Sequence, residues 1–161
     1  MKRPVIGTPA IAALTRLGLA FEVHTYDHDP AADSFGLEAA VALAVSPTQV
    51  FKTLVVNADG GSLAVGVVPV DRQLDLKAMA VALGRKRVTM AEPAVAERIT
   101  GYVVGGISPI GQKKTLATVI DVSATALARV YVSGGRRGVD LSLAPGDLVA
   151  ATDATLAPIA R

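Results

Sequence analysis

The stretch VFKTLVV at residues 50–56 is followed by NADGG at residues 57–61 and by SLAVGVV at residues 62–68. Both outer segments are apolar and rich in valine, which favours β-strands. The Asn, Asp and Gly residues between them are typical of a turn that joins two neighbouring strands. We therefore predict two strands joined as a hairpin.

Helices and strands follow one another irregularly on both sides of this hairpin. Periodicity and capping residues predict helices at residues 10–17, 36–45, 75–83 and 93–100 and after Gly146, a helical turn at 123–128, and strands at 20–26, 87–90, 116–122, 129–133 and 139–143. Because no regular βαβ alternation results, we predict an α+β fold. The length is typical of one domain, which we predict over residues 1–161. Its mixed, barrel-like sheet would have about seven strands, flanked by helices.

The composition excludes several classes of protein and site. Of 161 residues, 51% are apolar and 19% charged, so the chain can bury a substantial core and is not disordered. It contains no cysteine and two histidines, His24 and His28. A disulfide scaffold, a thiolate metal centre and a thiol nucleophile of the enzyme are therefore excluded, and we predict no metal and no cofactor.

Targeting features are weak in this sequence. Residues 1–3 (MKR) precede a mildly apolar stretch, but Pro4, Gly7 and Pro9 interrupt it, which is untypical of a signal peptide. No apolar run approaches the roughly 18 residues of a membrane span. We expect a cytoplasmic protein with no membrane partner.

The net charge of +2 conceals an uneven distribution. Residues 1–80 contain six Lys and Arg against eight Asp and Glu, whereas residues 81–161 contain ten against six. Seven of the sixteen cations lie in three short runs: Arg85-Lys86-Arg87, Lys113-Lys114 and Arg136-Arg137. These runs would attract a polyanion such as RNA if folding brought them together, but ordinary solvated turns would also contain them.

Lys52 is the first candidate for chemistry. Strand alternation places it on the same face as Val50, Leu54 and Val56. A lysine among apolar residues needs an anionic partner or a route to water for its ammonium group. It is therefore either an edge-strand lysine with an exposed head or a cation on a pocket floor that holds a phosphate, a carboxylate or a developing oxyanion.

The second candidate is the glycine-rich segment at residues 101–114, GYVVGGISPIGQKK. It matches neither common nucleotide-binding fingerprint, and it is too apolar for a linker. Gly105 and Gly106 would let backbone N–H groups approach a ligand, Ser108 offers a hydroxyl and Pro109 would stiffen the loop. The alternative is a tight loop that only packs on the core.

Two further segments contain polar groups at strand ends. Ser133 and Asp140 flank a glycine-rich turn, but a serine–histidine–aspartate triad would have to recruit His24 or His28 from a distant segment. Tyr26 and His28 lie at the end of another predicted strand and suit either a site or a plain surface turn.

These segments together resemble one known family. The matching stretches cover nearly the whole chain: residues 24–30 (HTYDHDP), 50–54 (VFKTL), 73–77 (QLDLK), 101–114 and 131–140. They are similar to the YbaK family of bacterial Cys-tRNA(Pro) deacylases, which belongs to a wider superfamily of synthetase-associated editing domains. Phe51 departs from the family pattern, in which tyrosine is frequent at this position, and so removes one hydroxyl.

The resemblance implies a trans-editing hydrolase that removes cysteine misattached to tRNA(Pro), with tRNA and prolyl-tRNA synthetase as partners. It assigns Lys52, Gly105 and Gly106 to catalysis, with the two glycine N–H groups as candidate oxyanion donors. Tyr26, Ser108, Pro109, Ser133 and Asp140 would bind the substrate, and the three basic runs would contact tRNA or the synthetase.

The implied mechanism uses the thiol of the substrate, which would attack its own ester. Two alternatives stay open: a deacylase for another mischarged tRNA such as Ala-tRNA(Pro), and a non-catalytic module that binds tRNA or the synthetase.

Overall fold

The structure is a computed structural model that describes residues 7–161, so the predicted features of residues 1–6 lie outside it. The described residues form five α-helices: α1 (Pro9–Leu17), α2 (Phe35–Ala42), α3 (Leu76–Leu83), α4 (Pro93–Thr100) and α5 (Pro145–Thr152). They form eight strands: β1 (Glu22–Thr25), β2 (Phe51–Ala58), β3 (Ser62–Pro69), β4 (Val88–Met90), β5 (Ala117–Asp121), β6 (Val130–Arg136), β7 (Val139–Leu143) and β8 (Thr155–Ala157).

Local capping explains where the helices begin and end. The Thr8 side chain accepts a hydrogen bond from the Ile11 N–H at the start of α1. Asp75 caps α3 by accepting from the N–H groups of Lys77 and Ala78, and Gly84 ends this helix at a φ of 67°. Such caps satisfy backbone groups that the first and last turns leave unbonded.

The predicted hairpin is the centre of a five-stranded sheet with the order β4-β2-β3-β5-β8. β2 and β3 are antiparallel, with Lys52 opposite Val68. β4 extends the sheet in the antiparallel sense beside β2, whereas β5 and β8 continue it in parallel beyond β3.

A three-stranded antiparallel sheet with the order β1-β7-β6 contains the remaining strands. Ser133 in β6 lies opposite Asp140 in β7. An isolated parallel bridge between Val50 and Tyr131 links the two sheets. The predicted mixed α+β class is confirmed, and the strands form two bridged sheets rather than one closed barrel.

Both faces of β2 contact apolar residues. Phe51 and Val55 belong to a core cluster that includes Val132 and Leu141 of the three-stranded sheet. On the opposite face, Val56 packs in a second cluster that includes Met79 and Ala80 of α3. A polar side chain in this strand therefore reaches solvent only where the packing leaves an opening.

The glycine-rich segment at residues 101–114 is irregular, as predicted, yet it is packed into the molecule. The Tyr102 hydroxyl donates to the Ile110 carbonyl at 2.7 Å, and the Val104 N–H donates to a Glu97 carboxylate oxygen at 2.8 Å. Ser108 is fully buried. Among the helices of residues 7–161, none is long and apolar enough to span a membrane.

Candidate functional site

A cleft of about 260 Å³ opens where the amino-terminal half of β2 meets the three-stranded sheet, α2 and the glycine-rich segment. Five of the residues predicted from the sequence line it: Tyr26, Lys52, Gly105, Ser133 and Asp140. They come from four separate parts of the chain, so the fold brings together groups that are far apart in sequence.

Lys52 is half-buried at this cleft. Its burial lowers the pKa of the ammonium group, and the nearby Asp71 carboxylate opposes that shift. No ion pair of Lys52 occurs among residues 7–161. The ammonium group is thus a partly dehydrated cation that is available to an anionic or electron-rich ligand.

Asp140 and Tyr26 form a polar wall of the same cleft. Asp140 is 6% exposed, and burial raises the pKa of its carboxyl to about 7. Burial, with a smaller contribution from Asp140, raises the pKa of the Tyr26 phenol to about 12. Tyr26 is held here by its backbone N–H, which donates to the Gly138 carbonyl at 3.0 Å. Near neutral pH the wall therefore presents a phenol and a carboxyl group that readily gains or loses a proton.

Sequence reasoning missed Thr53 and most of the apolar lining. The Thr53 hydroxyl oxygen is buried and has no hydrogen-bond partner within residues 7–161, although Thr53 lines the cleft. A buried hydroxyl without a partner costs free energy, so a ligand that pairs with it gains affinity. The one available signal was a polar residue beside Lys52 in an apolar strand. The apolar lining residues include Phe51, Leu54, Val55, Met90, Ala91, Pro93, Ala96 and Ile107.

The two glycines of the predicted loop differ in their surroundings. Gly105 lines the cleft with a φ of +87°, and a Cβ atom there would lie 3.0 Å from the Phe35 ring. No acceptor for its N–H occurs among residues 7–161. The Gly106 N–H, by contrast, already donates to the Val103 carbonyl at 2.8 Å, and Gly106 is absent from the lining. Of the two expected oxyanion donors, only Gly105 has an unused N–H at the cleft.

The structure does not bring Ser108 and Pro109 to the cleft. The Ser108 hydroxyl oxygen accepts from the Ile110 N–H at 3.2 Å inside the loop. Pro109 borders a separate hollow of about 230 Å³ beside α1 and α5. Neither residue lines the cleft, and the Ser108 hydroxyl oxygen is used within the loop.

Neither histidine is placed to activate Ser133. His24 Nε2 lies 2.8 Å from the Ser142 hydroxyl oxygen, and His28 Nδ1 lies 2.7 Å from a Glu38 oxygen. No histidine lines the cleft. Within the described residues, no group of three or more His, Cys, Asp or Glu is arranged to hold a metal ion.

The three basic runs lie at different places. Arg137 adjoins the cleft, since its Nε lies 2.8 Å from where a Cβ atom of the lining residue Gly105 would be, and Arg136 precedes it in the chain. The run at residues 85–87 is tied to the β2–β3 turn, where Arg85 donates to the Asp59 carbonyl at 2.9 Å. The Lys113 N–H donates to the carbonyl of Thr100 at the end of α4. The three runs are therefore held by contacts to different parts of the chain.

Comparison with known proteins supplies the family. Residues 28–151 match the aminoacyl-tRNA editing domain. Over 120 residues, which are 74% of this chain and 73% of the relative, the sequence is 38% identical to EbsC of Enterococcus faecalis. That protein is named, provisionally, a Cys-tRNA(Pro)/Cys-tRNA(Cys) deacylase.

Solved structures share the fold over almost the full length. The hypothetical protein APE2540 superimposes with a TM-score of 0.86 at 28% identity, covering 96% of this chain and 100% of its own. A structure described provisionally as a trans-editing enzyme for prolyl-tRNA synthetase superimposes with a TM-score of 0.83 at 25% identity. It covers 98% of this chain and 99% of its own.

Proposed function

We propose that this chain, which belongs to the aminoacyl-tRNA editing domain family, removes cysteine from mischarged tRNA(Pro). Membership in this family makes the chain an aminoacyl-tRNA deacylase. The cysteine substrate and the prolyl tRNA are the proposed parts. They are supported by the 38% identity to EbsC and by the likeness to a prolyl-tRNA trans-editing structure.

The observation that carries the proposal is the combination of groups in the cleft. Residues that provide a cation, an unused backbone N–H and a buried carboxyl line one small, largely apolar space. The lining offers no cysteine, and its Ser133 has no histidine to activate it. Such a site favours a reaction in which the substrate brings its own nucleophile and the protein stabilises charge.

Cysteine esters can react in this way because the thiol group, with a pKa of about 8.5, is a few per cent thiolate at neutral pH. The thiolate sulfur attacks the carbonyl carbon of its own ester, and the carbonyl oxygen gains a negative charge. When this intermediate collapses, the bond to the ribose oxygen breaks and that oxygen takes a proton. The cyclic thiolactone that remains is opened by water to free cysteine.

Each polar group of the cleft has a proposed role. The Gly105 N–H donates to the developing oxyanion, and Lys52 binds the terminal nucleotide or its phosphate. Asp140 and Tyr26, with Ser133 beside them, contact the aminoacyl group, whose amine suits a carboxylate. The Thr53 hydroxyl supplies one further hydrogen bond.

The deciding experiment measures release of free amino acid from Cys-, Ala- and Ser-tRNA(Pro) side by side. We expect fast loss of cysteine only. Fast loss of alanine with cysteine spared would instead identify an alanine deacylase. Binding without release of any amino acid would identify a non-catalytic module.

The proposed nucleophile has its own test. Alkylating the substrate thiol is expected to abolish cleavage, and the reagent itself should spare a protein that contains no cysteine. Hydrolysis of the blocked ester at the unmodified rate would mean that water or a protein group attacks instead.

The proposed partners are tRNA(Pro) and prolyl-tRNA synthetase. Phosphate contacts by the basic runs would be sensitive to salt and largely independent of sequence. A small domain that reads few bases would then gain its tRNA specificity from the synthetase.

A further inference from the structure

The Arg137 side chain connects the β6–β7 turn with the glycine-rich segment and with the start of α2. Its Nε and one terminal nitrogen donate to the Val104 carbonyl at 2.9 and 2.6 Å. The same guanidinium lies 5.0 Å from the centre of the Phe35 ring. A side chain at the exposed β6–β7 turn thus binds the glycine-rich segment and stacks on the start of α2.

The bonded carbonyl belongs to the same peptide unit as the Gly105 N–H. In a trans peptide the carbonyl and the N–H point in opposite directions. Because the guanidinium holds the Val104 oxygen, the Gly105 N–H points away from Arg137 and lacks an acceptor among residues 7–161. A charged donor on the carbonyl also polarises the amide and strengthens its N–H as a donor.

The peptide unit is held from other sides as well. Glu97 accepts the N–H of Val104 at 2.8 Å, which fixes the preceding peptide. The Phe35 ring lies 5.6 Å from the His28 ring, and His28 Nδ1 lies 2.7 Å from Glu38. These contacts hold the Phe35 ring in the position where the Arg137 guanidinium stacks on it.

Arg136 provides the contrast within the same turn. Its side chain is exposed and makes no hydrogen bond or ion pair within residues 7–161. The Arg136 guanidinium is therefore available to bind a phosphate, whereas the Arg137 guanidinium already donates two hydrogen bonds to a carbonyl.

We propose that Arg137 is a positioning residue, which orients the Val104–Gly105 peptide toward the reacting carbonyl and does not serve as a contact for tRNA phosphate. This inference rests on the proposed deacylase function. It separates two arginines that are adjacent in sequence and equal in charge.

The test compares Arg137→Lys with Arg136→Gln. Lysine keeps the charge but has neither the two-pronged donor nor the flat stacking face. We expect Arg137→Lys to lower kcat at least tenfold, since a lost oxyanion donor typically costs about 100- to 1,000-fold, and to leave the salt dependence of KM unchanged. Arg136→Gln should raise KM and flatten its salt dependence.

A wild-type kcat in Arg137→Lys would overturn the inference, as would a flattened salt dependence in Arg137→Gln with kcat retained. Amide NMR gives a readout that does not need activity. The Gly105 N–H resonance should shift in Arg137→Lys and in Phe35→Leu but stay in place in Arg136→Lys, and an unmoved resonance contradicts the inference. If the wild-type protein showed no deacylation, that result would instead count against the proposed function.

Discussion

Lys52 places a positive charge in a cleft with mostly apolar walls. We predict that Lys52→Met lowers kcat/KM for deacylation about 100-fold, because the variant loses the cation that binds the terminal nucleotide or its phosphate in a partly dehydrated site. The variant should keep or raise its Tm, since burial already disfavours the ammonium form and lowers the pKa of Lys52.

Lys77→Met is the matched control, because Lys77 lies exposed on α3. It should leave the deacylation rate unchanged. Equal effects of the two substitutions would contradict the assignment of Lys52 to the site.

Asp140 makes the free energy of unfolding depend on pH. Its carboxyl has a pKa of about 7 in the folded chain and an ordinary value near 3.8 when unfolded. Below about pH 4 both states are protonated and folding incurs no penalty. Between pH 4 and 7 the unfolded state loses its proton first, so the free energy of unfolding should fall as the pH rises, by on the order of 4 kcal/mol.

Asp140→Asn removes this titration. Denaturant unfolding of both proteins from pH 4 to 8 should show a flatter profile for the variant, which is then the more stable of the two above pH 7. Parallel profiles would show that Asp140 titrates normally. The same variant should deacylate more slowly, since an amide cannot bind the substrate amine as a carboxylate does.

The glycine-rich segment is constrained by both its backbone and its neighbours. Gly105→Ala would strain a φ of +87° and place Cβ 2.8 Å from Arg137 Nε. Gly61 has a φ of +83° with nothing within 4 Å of its Cβ position. Gly61→Ala should therefore lower the free energy of unfolding by about 1–2 kcal/mol, the cost of the left-handed backbone alone, without loss of deacylation.

Gly105→Ala should cost at least as much stability and also reduce kcat at least tenfold, because the Gly105 peptide must move. Denaturant unfolding and single-turnover deacylation measure the two effects. If both variants lost the same activity, a backbone effect common to all such glycines would be indicated, rather than a role of this loop in the site.

Elements with strong local signals were predictable from the sequence. α4 spans Pro93–Thr100 and ends at Gly101 with a φ of 81°, and β7 spans Val139–Leu143, both as predicted. β8 was missed because nothing local specifies it. Its pairing with β5 is accompanied by the Asp121 carboxylate, which accepts from the N–H groups of Ile159 and Ala160 nearly forty residues away.

The same distinction applies to the candidate site. Lys52 was recognisable because a cation interrupts an apolar strand, which is a property of neighbours in sequence. The roles of Gly106 and Arg137 depend on which hydrogen bonds are already made, 2.8 Å to Val103 in one case and 2.6 Å to Val104 in the other. These hydrogen bonds arise from tertiary packing, so residue type and spacing cannot reveal them.

Across the whole molecule, β2 separates two positively charged positions: Lys52 near one end of the strand and the run at residues 85–87 near the other. Ala58, beside the run at residues 85–87, is six residues from Lys52 along β2. At about 3.3 Å per residue, this separation is about 20 Å. We expect an RNA helix whose 3′ end enters the cleft to extend toward residues 85–87.

We predict that Lys86→Gln combined with Arg87→Gln weakens binding of tRNA to the isolated chain. Both side chains are exposed and their backbone N–H groups bond to Asp59, so the substitutions should leave the fold intact. Each lost phosphate contact should reduce the slope of log affinity against log salt by about 0.7–0.9. Fluorescence titrations at several salt concentrations measure this slope.

The control is Arg16→Gln combined with Lys77→Gln, which removes the same charge from exposed positions on α1 and α3. Because long-range attraction depends on total charge while counterion release depends on contacts, the control should weaken binding slightly without the same change in slope. Equal slopes for both double variants would contradict a contact at residues 86 and 87. If the loss appears only when prolyl-tRNA synthetase is present, the run faces the synthetase and the RNA follows another path from the cleft.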